Sequence, residues 1–572
     1  MSDILLADHG SCLGPVWVDA LAADTEFYAA EEASRFLSQI TGASFPVLRG
    51  GQMPTTCVVV GDSDILRADV DLGQEGFALR TVGKRAVIVG GRPRGVLYGV
   101  YSFLERLGCR WFSSKVSHIP RRDKLVIPAL DLRETPALEY REIYYEDSRD
   151  ANWSARNKLN GNSMELDSAR GGKISYFPFV HTFNSLLSPE DYFDEHPEYF
   201  SLVNGERLRE NTQLCLTNPD VLRLCVAKVE QWIKERPDAN IISVSQNDCY
   251  NPCQCENCKR IDDEQGTHAG SLIWFLNQLA DQIGEKYPHV VIDTLAYQYT
   301  RPAPKTLRPR PNICVRLCSI ECCFAHPLRD CDHISSFGNR IRGDSFQKDL
   351  ADWAKICDRL YIWDYVVNFS HYVMPFPNFH VLGDNIRYFI ENHVKGIFEE
   401  GATTVYGGAE LAELRAYVLA KLLWNPKSDT NELVEEFITG YYQAASAPIL
   451  AYFNLIHSKL RENPKIHFGI YDPPRIPYLT DEVVEECDRL FDRALALADD
   501  EEVLRRVRIA RMPIQYWKVY KMPLTDPSRP RRSDDFFAEL TELGIHEIWE
   551  GRTMAQSQEQ MKKGVVWRFP ES

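Results

Sequence analysis

Four acidic residues stand where apolar, β-branched or aromatic runs end: Asp248 after Ile241-Ile242-Ser243-Val244, Glu321 after Val315 to Ile320, Asp364 within Tyr361-Ile362-Trp363, and Glu399 after Ile397-Phe398, with Glu400 beside it. Acids are depleted in strand interiors, so their recurrence at apolar strand ends points to use at one rim. Around them lie Tyr297 and Tyr299, Trp363 and Tyr365, His181, and Asn247 next to Asp248. Aromatic faces can stack on a pyranose, while His and Asn can hydrogen-bond its hydroxyls. Cleaving a glycosidic bond takes a protonated acid at the leaving oxygen and a second group, usually a carboxylate, to manage the developing positive charge. Burial or a like-charged neighbour raises the acid's pKa towards working pH. Taken singly, each acid reads equally as a helix cap or an arginine partner. Together they predict Asp248, Glu399 and Asp364 as catalytic, and Asn247, His181, Tyr297, Tyr299, Glu321, Trp363 and Tyr365 as substrate-binding. Adjacent Glu399 and Glu400 must point to opposite faces of a strand, and Glu399 is preferred because it continues the run directly.

A second chemistry follows at once. In ISVSQNDCYNPCQCENC, Cys253, Cys255 and Cys258 have a spacing compatible with thiolate metal ligation, with Cys249 or a distant Cys or His as fourth ligand. The alternative is a reduced loop that merely shapes the site. His326, in CSIECCFAHPLRDC, reads as a substrate contact, a further metal ligand or a structural histidine.

The elements that must position these groups follow an alternation of strands and helices. Expected strands lie at 140–145, 176–181, 241–247, 290–297, 313–320, 360–365 and 394–399, with a weaker one at 156–160. The intervening 271–283 carries Leu272, Phe275, Leu276, Leu279 and Ile283 on one helical face. Seven or eight such units over 136–408 predict an α/β fold, a (β/α)8 TIM-like barrel. Before it, 1–135 reads as a small α/β domain, with a helix at 25–40, a hairpin turning at Val82-Gly83-Lys84 and a helix stopped by Gly108. Gly90-Gly91 lacks the G-x-G-x-x-G pattern, so it is read as packing and not as a phosphate loop. After it, 409–572 reads as a helical C-terminal region with helices at 410–424, 429–444, 448–461, 481–498 and 501–520, the last thirty residues being left unassigned.

Bulk properties narrow the class. The 572 residues are 44% hydrophobic and 26% charged, as in an ordinary globular protein, and the net charge of −16 argues against a nucleic-acid partner. No apolar run is long enough to span a bilayer, and the N-terminus has no basic segment followed by an apolar one, so the expectation is a cytoplasmic protein with a carbohydrate substrate, no membrane partner and no cofactor. The oligomeric state is left open.

The segment EGFALRTVGKRAVIVGGRPRGVLYGVYSFLERLGCRWF resembles the N-terminal accessory domain shared by α-glucuronidases and β-N-acetylhexosaminidases. From about 135 to 445, HTFNSLLSPEDYFDEHPEYFSLVNGER, QLCLTNPDV, LAYQYTRPAP, YIWDYVVNF and VKGIFEEG, with the two cysteine-bearing motifs, are similar to the domain-of-unknown-function 4838 family. That family overlaps glycoside hydrolase family 163, characterised as endo-β-N-acetylglucosaminidases. The resemblance implies a barrel hydrolase acting on N-acetylglucosamine-containing glycans, with the substrate's own acetamido group as one candidate nucleophile. Related hexosaminidases carry an adjacent Asp-Glu pair where this chain has Asn247-Asp248, and the family often has Gln where this chain has Glu400. An α-glucuronidase-like arrangement of Asp248, Asp364 and Glu399 is the alternative, and a non-catalytic carbohydrate-binding barrel is the third reading.

Overall fold

In the computed structural model, which describes residues 3–61, 71–334, 345–402, 408–473 and 477–564, the apolar runs of the middle region form one parallel sheet. Its strands are β1 (Tyr140–Ile143), β2 (Ile241–Ser243), β3 (Val291–Ala296), β4 (Ile313–Cys318), β5 (Leu360–Tyr365) and β6 (Val394–Glu400), in the order β1-β6-β5-β4-β3-β2. Nearly every residue of these strands is buried, as expected of parallel strands covered on both faces. Helices such as Ala269–Lys286, Phe346–Ile356 and Phe379–Glu391 fill the crossovers.

The structure is thus a mixed α/β fold built on a half-barrel parallel sheet with a helical C-terminal region. Two of the eight expected strands are not strands. Residues 151–156 are helical and 157–162 are irregular, and the 176–181 segment touches the sheet through a single parallel bridge, Tyr176 to Ile241. Asparagines do there what a strand ladder does elsewhere. Asn160 exchanges hydrogen bonds with the Arg141 backbone (2.9 and 3.2 Å) and its carbonyl accepts from Ile174 N, while Asn162 Oδ1 accepts from Tyr176 N (both 2.8 Å). The Tyr140 ring on β1 lies 5.6 Å from the Tyr176 ring beside β2, so the two edges of the sheet face each other across this irregular span.

Period-two alternation assigns the faces. Asp293, Arg316, Trp363 and Phe398 point inward. Arg316 is fully buried, ion-paired with Asp293 at 2.8 Å, with its guanidinium 4.6–4.9 Å from the ring centres of Phe179, Tyr176 and Trp363. Burial raises Asp293 to about 6 even against the pull of Arg316.

The N-terminal region holds a six-stranded mixed sheet flanked by the helices Asp24–Thr41 and Gly95–Arg106. The hairpin is present, with Val82 opposite Arg85. A Cβ on Gly91 would lie 1.8 Å from the Gly73 carbonyl, so the diglycine serves close backbone packing. Glu75 joins this region to the sheet by ion pairs to Arg94 (2.6 Å) and to Arg141 of β1 (2.8 Å), all three buried. The C-terminal helices Ala412–Trp424, Thr430–Tyr442, Ser446–Arg461, Asp481–Leu497 and Glu501–Lys521 match the expected ones within a few residues. Arg529–Glu542 adds an unexpected helix, and Met554–Lys563 adds one within the unassigned last thirty residues. No helix among the described residues is long and apolar enough to cross a membrane.

Breaking a buried ion pair from one side leaves the other charge uncompensated, at a cost of about 3–5 kcal/mol. Arg316→Met is therefore expected to lower the unfolding free energy by about that amount, measured by denaturant titration, while Arg316→Met combined with Asp293→Leu recovers much of the loss. A single variant as stable as the parent contradicts this account of the sheet interior.

Candidate active site

Where the inward-facing strand ends meet, an open cleft is lined by His181, Asp248, Leu295, Tyr297, Cys318, Ile320, Trp363, Tyr365, Glu400, Tyr471 and Glu550. Strand alternation places Cys318, Trp363, Tyr365 and Glu400 there together, since Tyr365 pairs with Glu400 across β5 and β6. Trp363 and Tyr365 stand nearly parallel, at 6.3 Å and 24°, and form an aromatic wall. Trp363 Nε1 donates to Glu400 Oε2 at 2.7 Å.

Three carboxylates face this space. Asp248 is exposed at the mouth and accepts a hydrogen bond from the Tyr297 hydroxyl at 3.2 Å. Glu400 lies deep. Burial raises its pKa to about 8, Glu550 adds repulsion, and the Trp363 hydrogen bond pulls the other way. Burial likewise lifts Glu550 to about 7, against a hydrogen bond from Tyr471 (3.5 Å), with Asp248 repelling it. A site where burial and like charges hold one carboxyl protonated near neutrality beside an exposed carboxylate has the makings of acid–base chemistry.

Several expected residues lie here: Asp248, His181, Tyr297, Trp363 and Tyr365. His181 adopts a left-handed backbone (φ 53°), and its Nδ1 meets the Gln246 carbonyl at 2.8 Å. Others do not reach the cleft. Glu399 and Asp364 are partners in register on the opposite face of β5 and β6. Burial raises both, with Asp364 at about 6, and Ser319 donates to Asp364 at 2.5 Å. The preference for Glu399 is thus reversed by strand parity, and Glu400 is the cleft residue. Glu321 is buried in an ion pair with Arg301 at 3.0 Å. Tyr299 packs on Tyr250 and His268 in a separate small cavity beside Cys253 and Cys258. The Asn247 side chain is held by protein, donating to Asn184 Oδ1 and the Thr212 carbonyl (2.8 Å each) and accepting from Asn184 N at 3.0 Å.

Two cleft residues were not anticipated, Tyr471 and Glu550. Glu550 is delivered by a turn anchored on buried Trp549, whose Nε1 donates to Tyr516 at 3.0 Å, and by its own N–H to the Phe369 carbonyl at 2.9 Å. Its local sequence, HEIWEG, carries no strand-end signal.

Among the described residues, two clusters could hold a metal. Cys253, Cys255 and Cys258 gather with Cys215, and their sulfurs lie within 4.8 Å of one another. Cys249 is not the fourth member. Its sulfur instead meets Gln213 Nε2 at 3.3 Å. Cys323, His326, Cys331 and His467 form the second group, within the same 4.8 Å.

Comparison with known proteins adds family and fold. Residues 111–454 match the model of DUF4838, a domain of unknown function, and residues 17–103 match the glycosyl hydrolase family 67 N-terminus. A search of curated proteins finds no match. Among solved structures, BtGH115A, a GH115 4-O-methyl-α-glucuronidase with specificity for decorated arabinogalactans, is 12% identical with a TM-score of 0.56, covering 98% of this chain and 78% of its own. The Flavobacterium johnsoniae chitobiase FjGH20 is 11% identical with a TM-score of 0.47, covering 99% and 97%. A Streptomyces plicatus β-hexosaminidase is 10% identical with a TM-score of 0.43, covering 83% and 94%. At a TM-score of 0.56 the likeness to BtGH115A is one of fold.

The geometry makes Glu400 a proton holder near neutral pH. The infrared difference between the parent and Glu400→Gln is expected to contain a protonated-carboxyl stretch that fades as pH rises through about 8. A difference spectrum showing only ionised carboxylate near neutrality contradicts the assignment.

Proposed function

The chain belongs to the DUF4838 family, and from that premise we propose that it is a glycosidase acting on N-acetylglucosamine-containing glycans, with Glu400 as general acid and Asp248 as the second carboxylate. The cleft lies at the C-terminal ends of parallel strands, where a (β/α)8-type scaffold presents its chemistry, the irregular 157–181 span standing in for the missing strands. The observation that carries the reading is the combination at Glu400: a half-buried carboxyl with a raised pKa, facing an exposed Asp248 beside an aromatic wall.

In this scheme a sugar ring stacks on Trp363 or Tyr365, and Glu400 protonates the departing oxygen. Asp248, oriented by Tyr297, manages the positive charge that develops at the anomeric carbon. Glu550 keeps the proton on Glu400 by repulsion. An acetamido-assisted step does not draw on Asn247, whose amide is already engaged by Asn184 and Thr212. Charge separates the two sugar classes in view. The cleft lining presents Asp248, Glu400 and Glu550 and, among the described residues, no Lys or Arg. A uronate carboxylate would meet repulsion with no partner, whereas a neutral N-acetylhexosamine would not. This favours the glucosaminide over the glucuronide reading.

Glu400→Gln and Asp248→Asn are each expected to lower kcat by about 10²–10⁴-fold, the usual worth of a positioned acid or base, while Glu399→Gln stays close to the parent. Turnover assays on N-glycans and N-acetylglucosaminides test this. Loss in Glu399→Gln with retention in Glu400→Gln would invert the assignment. The acid works only while protonated, so activity should fall as pH rises through about 8. Trp363→Phe removes a donor that favours the charged form, raises that pKa, and should move the basic limb of the pH–rate profile to higher pH. A shift to lower pH contradicts the proposed hydrogen-bonding role.

A further inference from the structure

The four-residue group Cys323, His326, Cys331 and His467 lies outside the catalytic scheme. Cys323 Sγ is 3.4 Å from His326 Nδ1 and 3.3 Å from His467 Nδ1, and Cys331 Sγ is 3.7 Å from His467 Nδ1. In a tetrahedral zinc site, with Zn–S of about 2.3 Å and Zn–N of about 2.0–2.1 Å, sulfur–nitrogen edges come to about 3.5 Å. The three observed separations straddle that value. All sixteen cysteines are free, so Cys323 and Cys331 are not tied as a disulfide. Two thiols and two imidazoles with four convergent donor atoms are a donor set suited to zinc. Three ligands come from a short loop after β4, closed by the Cys322–Ile334 bridge, and the fourth comes from a segment 136 residues beyond Cys331. The His333 ring stacks on His467 at 4.0 Å and backs it from the side.

The geometry points to a zinc ion held by Cys323, His326, Cys331 and His467, which pins the 466–472 segment to the rim of the cleft and so positions Tyr471. The segment is also held by Phe324 N to the Phe468 carbonyl (3.0 Å), Phe369 N to the Ile470 carbonyl (2.8 Å) and Asn368 Nδ2 to the Asp472 carbonyl (2.9 Å). Tyr471, four residues past His467, lines the cleft and donates to Glu550 at 3.5 Å. Tyr471 is thus a positioning residue for a carboxylate, and the ion would fix where it stands.

The Cys215, Cys253, Cys255 and Cys258 group carries a second zinc by an independent observation. Cys215 and Cys255 sulfurs are 3.6 Å apart, against about 3.8 Å for the sulfur–sulfur edge of a zinc tetrathiolate. Here the ion would close the loop that follows Asp248, joining it to the QLCLTNPDV segment.

Elemental analysis of the full chain, purified without chelator, tests both sites. Two zinc ions per chain are expected, one lost in Cys331→Ser and the other in Cys258→Ser. Replacing zinc by cobalt in the unsubstituted chain should give thiolate-to-metal charge-transfer absorption, which needs no variant to fold. Hydrogen exchange then tests the positioning role. Removing the mixed-site ion should deprotect the Phe324 and Phe369 amides while β3 to β5 stay protected. Less than one zinc per chain after dialysis against zinc overturns both sites. Stoichiometric iron overturns the choice of metal, and a full complement in Cys331→Ser overturns the mixed site. Unchanged protection at Phe324 and Phe369 overturns the positioning role.

Discussion

The site depends on a buried cation. Arg316 lies fully buried beneath the cleft floor, neutralised by Asp293 and faced by Tyr176, Phe179 and Trp363. A charge there is tolerated only if its partners are held in place, so β3, β4, β5 and the irregular 176–181 segment are tied together at one point. Trp363 touches Arg316 with its ring and Glu400 with its indole N–H. The orientation of the acid therefore follows from the packing of the floor. Arg316 also draws Glu400 towards its charged form, a smaller effect than the burial and the Glu550 repulsion that hold it protonated.

Much of this arrangement was legible because parallel strands advertise themselves. Runs such as Ile313 to Cys318 and Leu360 to Tyr365 are apolar or aromatic but for one residue each, Arg316 and Asp364, and five of the C-terminal helices announce themselves by helical spacing. Face assignment was harder. Both faces of such a sheet are covered, so hydrophobicity does not separate Glu399 from Glu400. A parity signal was nonetheless present: Lys395 is exposed, and Glu399 shares its face, whereas Gly396 leaves room for the Tyr361 ring on the inner side and shares its face with Glu400. Asn160 and Asn162 replace a strand with side-chain hydrogen bonds, which no period-two pattern records.

Residues contributed from afar were the least legible. Glu550 and Tyr471 come from turns in the C-terminal region, and their place in the cleft exists only because Trp549 and Phe369 anchor the chain there. The cysteines divide in the same way. The C-x-C-x-x-C spacing exposed three of four thiols, whereas Cys215 sits inside an unremarkable apolar stretch. His467 is separated from its three partners by the helices Phe346–Ile356, Phe379–Glu391 and several more. Local spacing reveals a donor set only when the set is local.

The central claim is that the Glu400 proton goes to the leaving oxygen. Turnover of Glu400→Gln on two N-acetylglucosaminides, one with an alkyl aglycone and one with a dinitrophenyl aglycone that departs without protonation, tests this most directly. The account predicts a severe loss on the alkyl glycoside and near-parental bond cleavage on the dinitrophenyl glycoside. Equal loss on both would contradict it.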